Sequence, residues 1–255
     1  MSIDLRFSDE LAVLTIDRQE ALNALSFALI AQIGEAIDEV AESKARALIV
    51  TGAGPKAFCA GADIKELVDR SLADQKSGAE FGQATFAKLD RLRVPSVALI
   101  NGYAFGGGVE LALACTFRLA TANAKLGLPE IKLGLIPGYG GTQRLPRLIG
   151  EARAMEMILT AKTLDAQEAL SCGLINRIVE APALDAAIAF ARSFTQFGTL
   201  AVQFAREAIQ RAAATSLSEG LRAEADLSTL AFRTADAAEG MQAFTEKRPP
   251  RFKGE

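Results

Sequence analysis

The sequence predicts an α/β protein, with a layered core of strands and helices followed by a helical C-terminal part. Three observations carry that expectation. Short apolar runs with the character of buried strands recur and end in glycine-bearing turns, as in "ARALIVTG" (45–52) and "VPSVALING" (94–102). A helical periodicity stands before the first of them. From about residue 141 onward the apolar residues recur instead at helical spacing, between Gly, Pro or polar breaks. The chain has 255 residues, 50% of them hydrophobic, enough to bury one large core.

Taken in order, "IDLRF" (3–7) and "LAVLTI" (11–16) flank Ser8-Asp9-Glu10 and predict a β-hairpin. "SFALIAQIGEAIDEVAES" (26–43) predicts a helix that aligns Leu29, Ile33, Ile37 and Val40, with Ser26 as its N-cap. The runs at 45–52 and 94–102 predict buried strands, and "TFRLATANAKLGLPE" (116–130) a third strand region. Beyond it, "GTQRLPRLIG", "EARAMEMILT", "DAQEALSCG", "ALDAAIAFARSF", "LAVQFAREAIQRAAA" and "SEGLRAEADLSTLAFR" predict helices. No low-complexity linker interrupts the chain. The expected division is a core over 1–195 and a helical region over 196–255 that packs on the core or on neighbouring subunits.

Composition excludes several classes. A net charge of −3 argues against nucleic acid as a partner, because phosphate contacts demand a basic surface. Cys59, Cys115 and Cys172 lie far apart in no paired spacing and read as reduced thiols. The N-terminus has neither a basic nor an apolar leader pattern. The most apolar window, 94–117, is cut by Asn101, four glycines and Glu110, so no membrane span is expected and a cytoplasmic location is. There is no histidine, which removes His-based triads, His-ligated zinc and imidazole acid–base catalysis. Proton transfer near neutral pH then falls to carboxylates, cysteine, lysine or tyrosine.

Three glycine-rich segments precede helical signals: "TGAGPKAFCAGADIKEL" (51–67), "NGYAFGGGVELALA" (101–114) and "LGLIPGYGGTQRL" (133–145). None has the spacing of a phosphate loop or a dinucleotide fingerprint. Two readings stand side by side. The glycines either permit close strand–helix packing, or they bare backbone N–H groups at helix starts, where two facing loops form an oxyanion hole. Glu110 is the only charged residue between Arg93 and Arg118 and opens an apolar helix. Burying it costs several kcal/mol unless it is hydrogen-bonded or protonated. Taken alone, it reads as a carboxylate satisfied at a helix N-terminus, and Glu130 as an ordinary loop acid. Converging, the two carboxylates would instead hold an acid and a base together.

These residues also carry a resemblance. "AFCAGADIKEL", "GYAFGGGVELALAC", "LGLPEIKLGLIPGYGGTQRL" and the tail "EGMQAFTEKRPPRFKG" resemble the crotonase superfamily, specifically enoyl-CoA hydratase, and the likeness runs from "EALNALS" (20–26) to the C-terminus. It implies a spiral of β-β-α turns with a C-terminal trimerisation region, hence a homo-oligomer, a trimer or dimer of trimers. It implies hydration of an enoyl-CoA without metal or redox cofactor, CoA entering as part of the substrate. The N–H groups of Ala62 and Gly107 match the family's oxyanion hole, and Glu110 and Glu130 its catalytic glutamates. Ala62, Asp63, Ile64 and Lys65 match the CoA-lining segment, and Phe244 and Lys247 the positions that cover the CoA. The acyl end is expected after Leu67 and around Tyr139. Gln19 departs from the family's usual proline in the turn before "EALNAL". An enoyl-CoA isomerase, a thioester hydrolase and a non-catalytic or RNA-binding member of the fold are the rival readings.

Overall fold

In the computed structural model, which describes residues 2–254, the chain opens with the hairpin expected of it. β1 (Ile3–Ser8) and β2 (Leu11–Ile16) pair antiparallel from Ile3↔Ile16 to Ser8↔Leu11. α1 (Phe27–Glu42) follows, and the Ser26 side chain accepts the Leu29 N–H at 3.1 Å, which satisfies one free donor of its first turn. Leu29, Ile33, Ile37 and Val40 are all buried, as the periodicity requires.

The chain then winds through repeated turns. β3 (Ala47–Gly52), β4 (Ala57–Cys59) and α2 (Leu72–Arg91) form one. β5 (Ser96–Ile100), β6 (Tyr103–Phe105) and α3 (Gly107–Ala114) form the next. β7 (Phe117–Thr121) and β8 (Lys125–Gly127) lead through a short 3₁₀ turn (Glu130–Leu133) to α4 (Gly141–Ile149) and α5 (Glu151–Leu159). β9 (Thr163–Asp165), α6 (Ala166–Ser171), β10 (Arg177–Val179) and α7 (Ala183–Thr195) close the core. In the turns that begin with β3, β5 and β7 the first strand joins a six-stranded sheet, β1-β2-β3-β5-β7-β10, and the second a four-stranded sheet, β4-β6-β8-β9; in the closing turn the order is reversed, β9 joining the smaller sheet and β10 the larger. This is the expected β-β-α spiral.

Several details differ from the sequence reading. The single strand region over 116–130 splits between the two sheets. The stretch after residue 141 is not all helical: β9 pairs antiparallel with β8, and β10 pairs parallel with β7. Three-residue strands have too few residues to show a period, so only their partners define them. α2 went unpredicted because its sequence is polar. Its buried stripe is made largely of small residues, Gly78, Gly82 and Thr85, ahead of Phe86 and Leu89.

The large sheet is buried on both faces, which is why its strands read as continuous apolar runs. Leu48, Val50, Ala98, Ile100 and Ala120 point to the main core with α1 and α3. Ala47, Ile49, Val97, Leu99 and Leu119 point to the other face and meet Ala187 and Ala191 of α7. α8 (Thr199–Ala212), α9 (Leu217–Phe232) and α10 (Ala235–Glu246) lie beyond this frame. Arg206 ties α8 to it, donating to the Leu89 and Asp90 carbonyls (both 2.7 Å) and to that of Leu92. Among the described residues no helix is long and apolar enough to cross a membrane, and Cys59, Cys115 and Cys172 are free.

Candidate active site

The three glycine-rich segments converge on one cavity of about 240 Å³, into which Glu110 and Glu130 both face. Each glutamate reaches it from a different turn of the spiral. Glu110 sits in the first turn of α3 and is 1% exposed. Its own helix does not satisfy it. The N–H groups of Tyr139 and Gly141, at the loop and first residue of α4, each donate to Oε1 at 2.7 Å. A carboxylate on the positive end of that second helix is held by its dipole as well as by the two bonds. A Cβ on Gly141 would lie 2.9 Å from Cβ of Pro137 and 3.1 Å from both Cγ and Oε1 of Glu110, so a side chain there would push on the loop and on the carboxylate together.

Glu130 opens the 3₁₀ turn after Pro129 and is held differently. Its Oε2 is buried with no hydrogen-bond partner, and Oε1 would lie 2.9 Å from a Cβ on Gly106. Burial raises its pKa above the ordinary carboxylate value. Burial, partly offset by the Gly141 N–H and reinforced by the charge of Glu130, pushes Glu110 up to about 7. Burial thus raises both carboxylates, and they differ in their donors: Glu110 accepts two backbone N–H groups, whereas Oε2 of Glu130 has none.

Ala62 and Gly107 line the same cavity. Leu25 pairs with the Ala62 segment by donating to the Gly61 carbonyl (2.7 Å) and accepting from the Asp63 N–H (2.8 Å). The Ala62 N–H, between them, is therefore turned to the other side of the chain. Gly107 is the first residue of α3, where helical N–H groups have no partner within the helix. The two loops face each other closely, because a Cβ on Gly61 (φ 103°) would lie 3.1 Å from the Phe105 carbonyl oxygen. Gly108 is a packing glycine, abutting the Cys59 carbonyl, whereas Gly107 lines the cavity.

Ala62, Ile64, Gly107, Glu110 and Glu130 all line the cavity, as do Leu67 and Tyr139. Asp63 and Lys65 do not. Asp63 pairs with Arg18 at 2.8 Å, which lowers its pKa, and caps the turn below by accepting the Lys65 N–H. Phe244 and Lys247 lie outside the lining as well: Phe244 is 86% exposed at the end of α10, and Lys247 follows it in the left-handed conformation. Sequence reasoning missed Phe27 and the α2 residues Gln75, Gly78 and Ala79, which wall the cavity. The small-residue spacing of α2 and the Ser71 side chain that caps it were the signals available.

The β-β-α spiral brings two buried glutamates and two glycine-bearing loops to one cavity, the arrangement of an enzyme's small-molecule site. The family profile Enoyl-CoA hydratase/isomerase matches residues 6–255. The chain is similar to a probable enoyl-CoA hydratase from Mycobacterium bovis, 47% identical over 94% of this chain and 93% of that protein. A crotonyl-CoA hydratase from Syntrophomonas wolfei is 40% identical over 98% and 97%. The crystal structure of an enoyl-CoA hydratase from Bacillus anthracis superposes with a TM-score of 0.95 at 40% identity, covering all of both chains. The protein is an enzyme of the enoyl-CoA hydratase/isomerase family, and its fold is the crotonase fold.

Proposed function

We propose that the protein catalyses reversible hydration of trans-2-enoyl-CoA thioesters to 3-hydroxyacyl-CoA. The reading rests on one observation above others: two buried carboxylates, unequally supplied with donors, share a cavity with the Ala62 and Gly107 amides. The thioester oxygen sits between those two N–H groups, which stabilise the enolate-like charge that develops as water adds. One such donor typically contributes about 10²–10³ in rate. Ionised Glu110, held through Oε1, has Oε2 to orient a water and take its proton, so that oxygen bonds to the β-carbon. Protonated Glu130 delivers its proton to the α-carbon. Adding water across the double bond moves only protons and one hydroxide equivalent, so the step needs no metal or redox cofactor.

The CoA runs along the Ala62–Lys65 edge. Phe244 and Lys247 meet it only beyond this cavity, at the solvent end or from a second copy. The apolar faces of α8–α10 that stay exposed in one chain fit a homo-oligomer of trimeric type. Retention of both glutamates favours hydration over isomerisation, which needs one proton shuttle.

The test follows loss of the conjugated-thioester absorbance of crotonyl-CoA in wild type and Glu130→Gln. Removing a general acid lowers rate by about 10²–10⁴-fold. Turnover in wild type that collapses in the variant supports the reading. A wild type that shifts the double bond of a 3-enoyl-CoA, or releases free thiol, without hydrating any 2-enoyl-CoA overturns it.

A further inference from the structure

We infer that Tyr139 sets the acyl-chain length the enzyme accepts, by closing the inner cavity against a larger groove on the outer surface. The inference rests on the enoyl-CoA reading above. The inner cavity is about 240 Å³, below the roughly 300–1,000 Å³ usual for small-molecule sites. It holds the reacting atoms and little more. Beside it runs an open groove of about 950 Å³ between α2 and α4. Six residues line both spaces: Gln75 and Ala79 of α2, and Leu135, Ile136, Gly138 and Tyr139 of the loop before α4. The seam between them is where the loop meets the helix.

Tyr139 fills that seam and is fixed from several sides. Its ring stands edge-on to Phe86, 5.7 Å between centroids. It lies so close to α2 that a Cβ on Gly82 would fall 2.3 Å from ring carbon Cδ1. It also lies against α3, where a Cβ on Gly107 would fall 3.2 Å from Cδ2. The loop is anchored next to it, since Gln83 donates to the Gly138 carbonyl at 2.8 Å. The residue is 8% exposed, so its ring is a wall and not a flap. The groove it closes off is apolar near the seam, where Leu135 and Ile136 are exposed, and suits a hydrocarbon chain.

Replacing the ring by a methyl group joins the two spaces and gives a longer chain apolar surface to cover. Each methylene that becomes buried is worth about 0.8 kcal/mol, or about fourfold in affinity. Because the Tyr139 N–H also holds Glu110, the readout is a ratio, in which any general loss of rate cancels. The kcat/KM of trans-2-decenoyl-CoA divided by that of crotonyl-CoA is measured in wild type, Tyr139→Ala and the double variant Tyr139→Ala with Ala87→Phe. Ala87 lines the groove and not the inner cavity, so the phenyl ring fills only the outer space. The ratio should rise about tenfold or more in Tyr139→Ala and return towards the wild-type value in the double variant. An unchanged ratio in Tyr139→Ala overturns the inference, as does a raised ratio that Ala87→Phe leaves in place. Failure of the underlying reading shows separately, as a wild type that hydrates neither substrate.

Discussion

The spiral core and the C-terminal helices are written in similarly amphipathic sequence but bury it to different extents. α1 buries seven of its sixteen residues, whereas α8 buries none and α9 only Leu227. Leu217, Leu221, Leu230 and Phe232 of α9 and Phe244 of α10 remain exposed. The core completes itself within one chain and can therefore afford a buried, charged site. The C-terminal layer is held to it by polar contacts such as those of Arg206, and its apolar side chains stay exposed in the single chain.

Substitutions in the two regions should accordingly fail in different ways. The largest effect on folding is expected in the core, at Glu110. Its folded pKa lies above its ordinary carboxylate value, so between pH 4.5 and about 7 the native state binds more protons than the unfolded state. Stability therefore falls as pH rises through that window, and the charged group costs about 3 kcal/mol above it. Glu110→Gln keeps an acceptor for the Tyr139 and Gly141 N–H groups and removes the charge. It should melt several degrees higher than wild type at pH 8, nearly level with it at pH 4.5, and be inactive. Equal melting at both pH values would mean that the carboxylate is solvated after all.

The junction comes next. Arg206→Met strips charged donors from the Leu89, Asp90 and Leu92 carbonyls at the end of α2. A loss of about 2–3 kcal/mol is expected in denaturant titrations. Hydrogen exchange should quicken in α8 before it does in β3 or β5. Uniform loss across the chain would show that the two regions unfold as one.

The smallest effect on the folded chain belongs to the exposed layer. Leu221→Ser with Phe232→Ser should leave the stability of a single chain within about 0.5 kcal/mol per site, as exposed positions usually do. Sedimentation should nevertheless show smaller species than wild type. An unchanged mass with unchanged activity would remove α9 from the subunit contact.

The amino-acid sequence by itself determined the elements that carry their own period or cap: the hairpin, α1 with Ser26, the double-faced strands and most of the late helices. It also determined the chemistry on offer, since a chain without histidine that sets Glu110 in an apolar run after three glycines has few ways to use it. The rest was decided by tertiary structure. β9 and β10 exist because β8 and β7 lie beside them. The stripe of α2 is legible only once Phe27 and Tyr139 are seen filling the space its glycines leave. Glu110 opens α3, yet its Oε1 is held by the start of α4, through the Gly141 N–H 31 residues away. Local sequence records preferences of a few residues each. Which donor meets a buried carboxylate, and which ring closes a cavity, depends on segments brought together by the winding of the spiral.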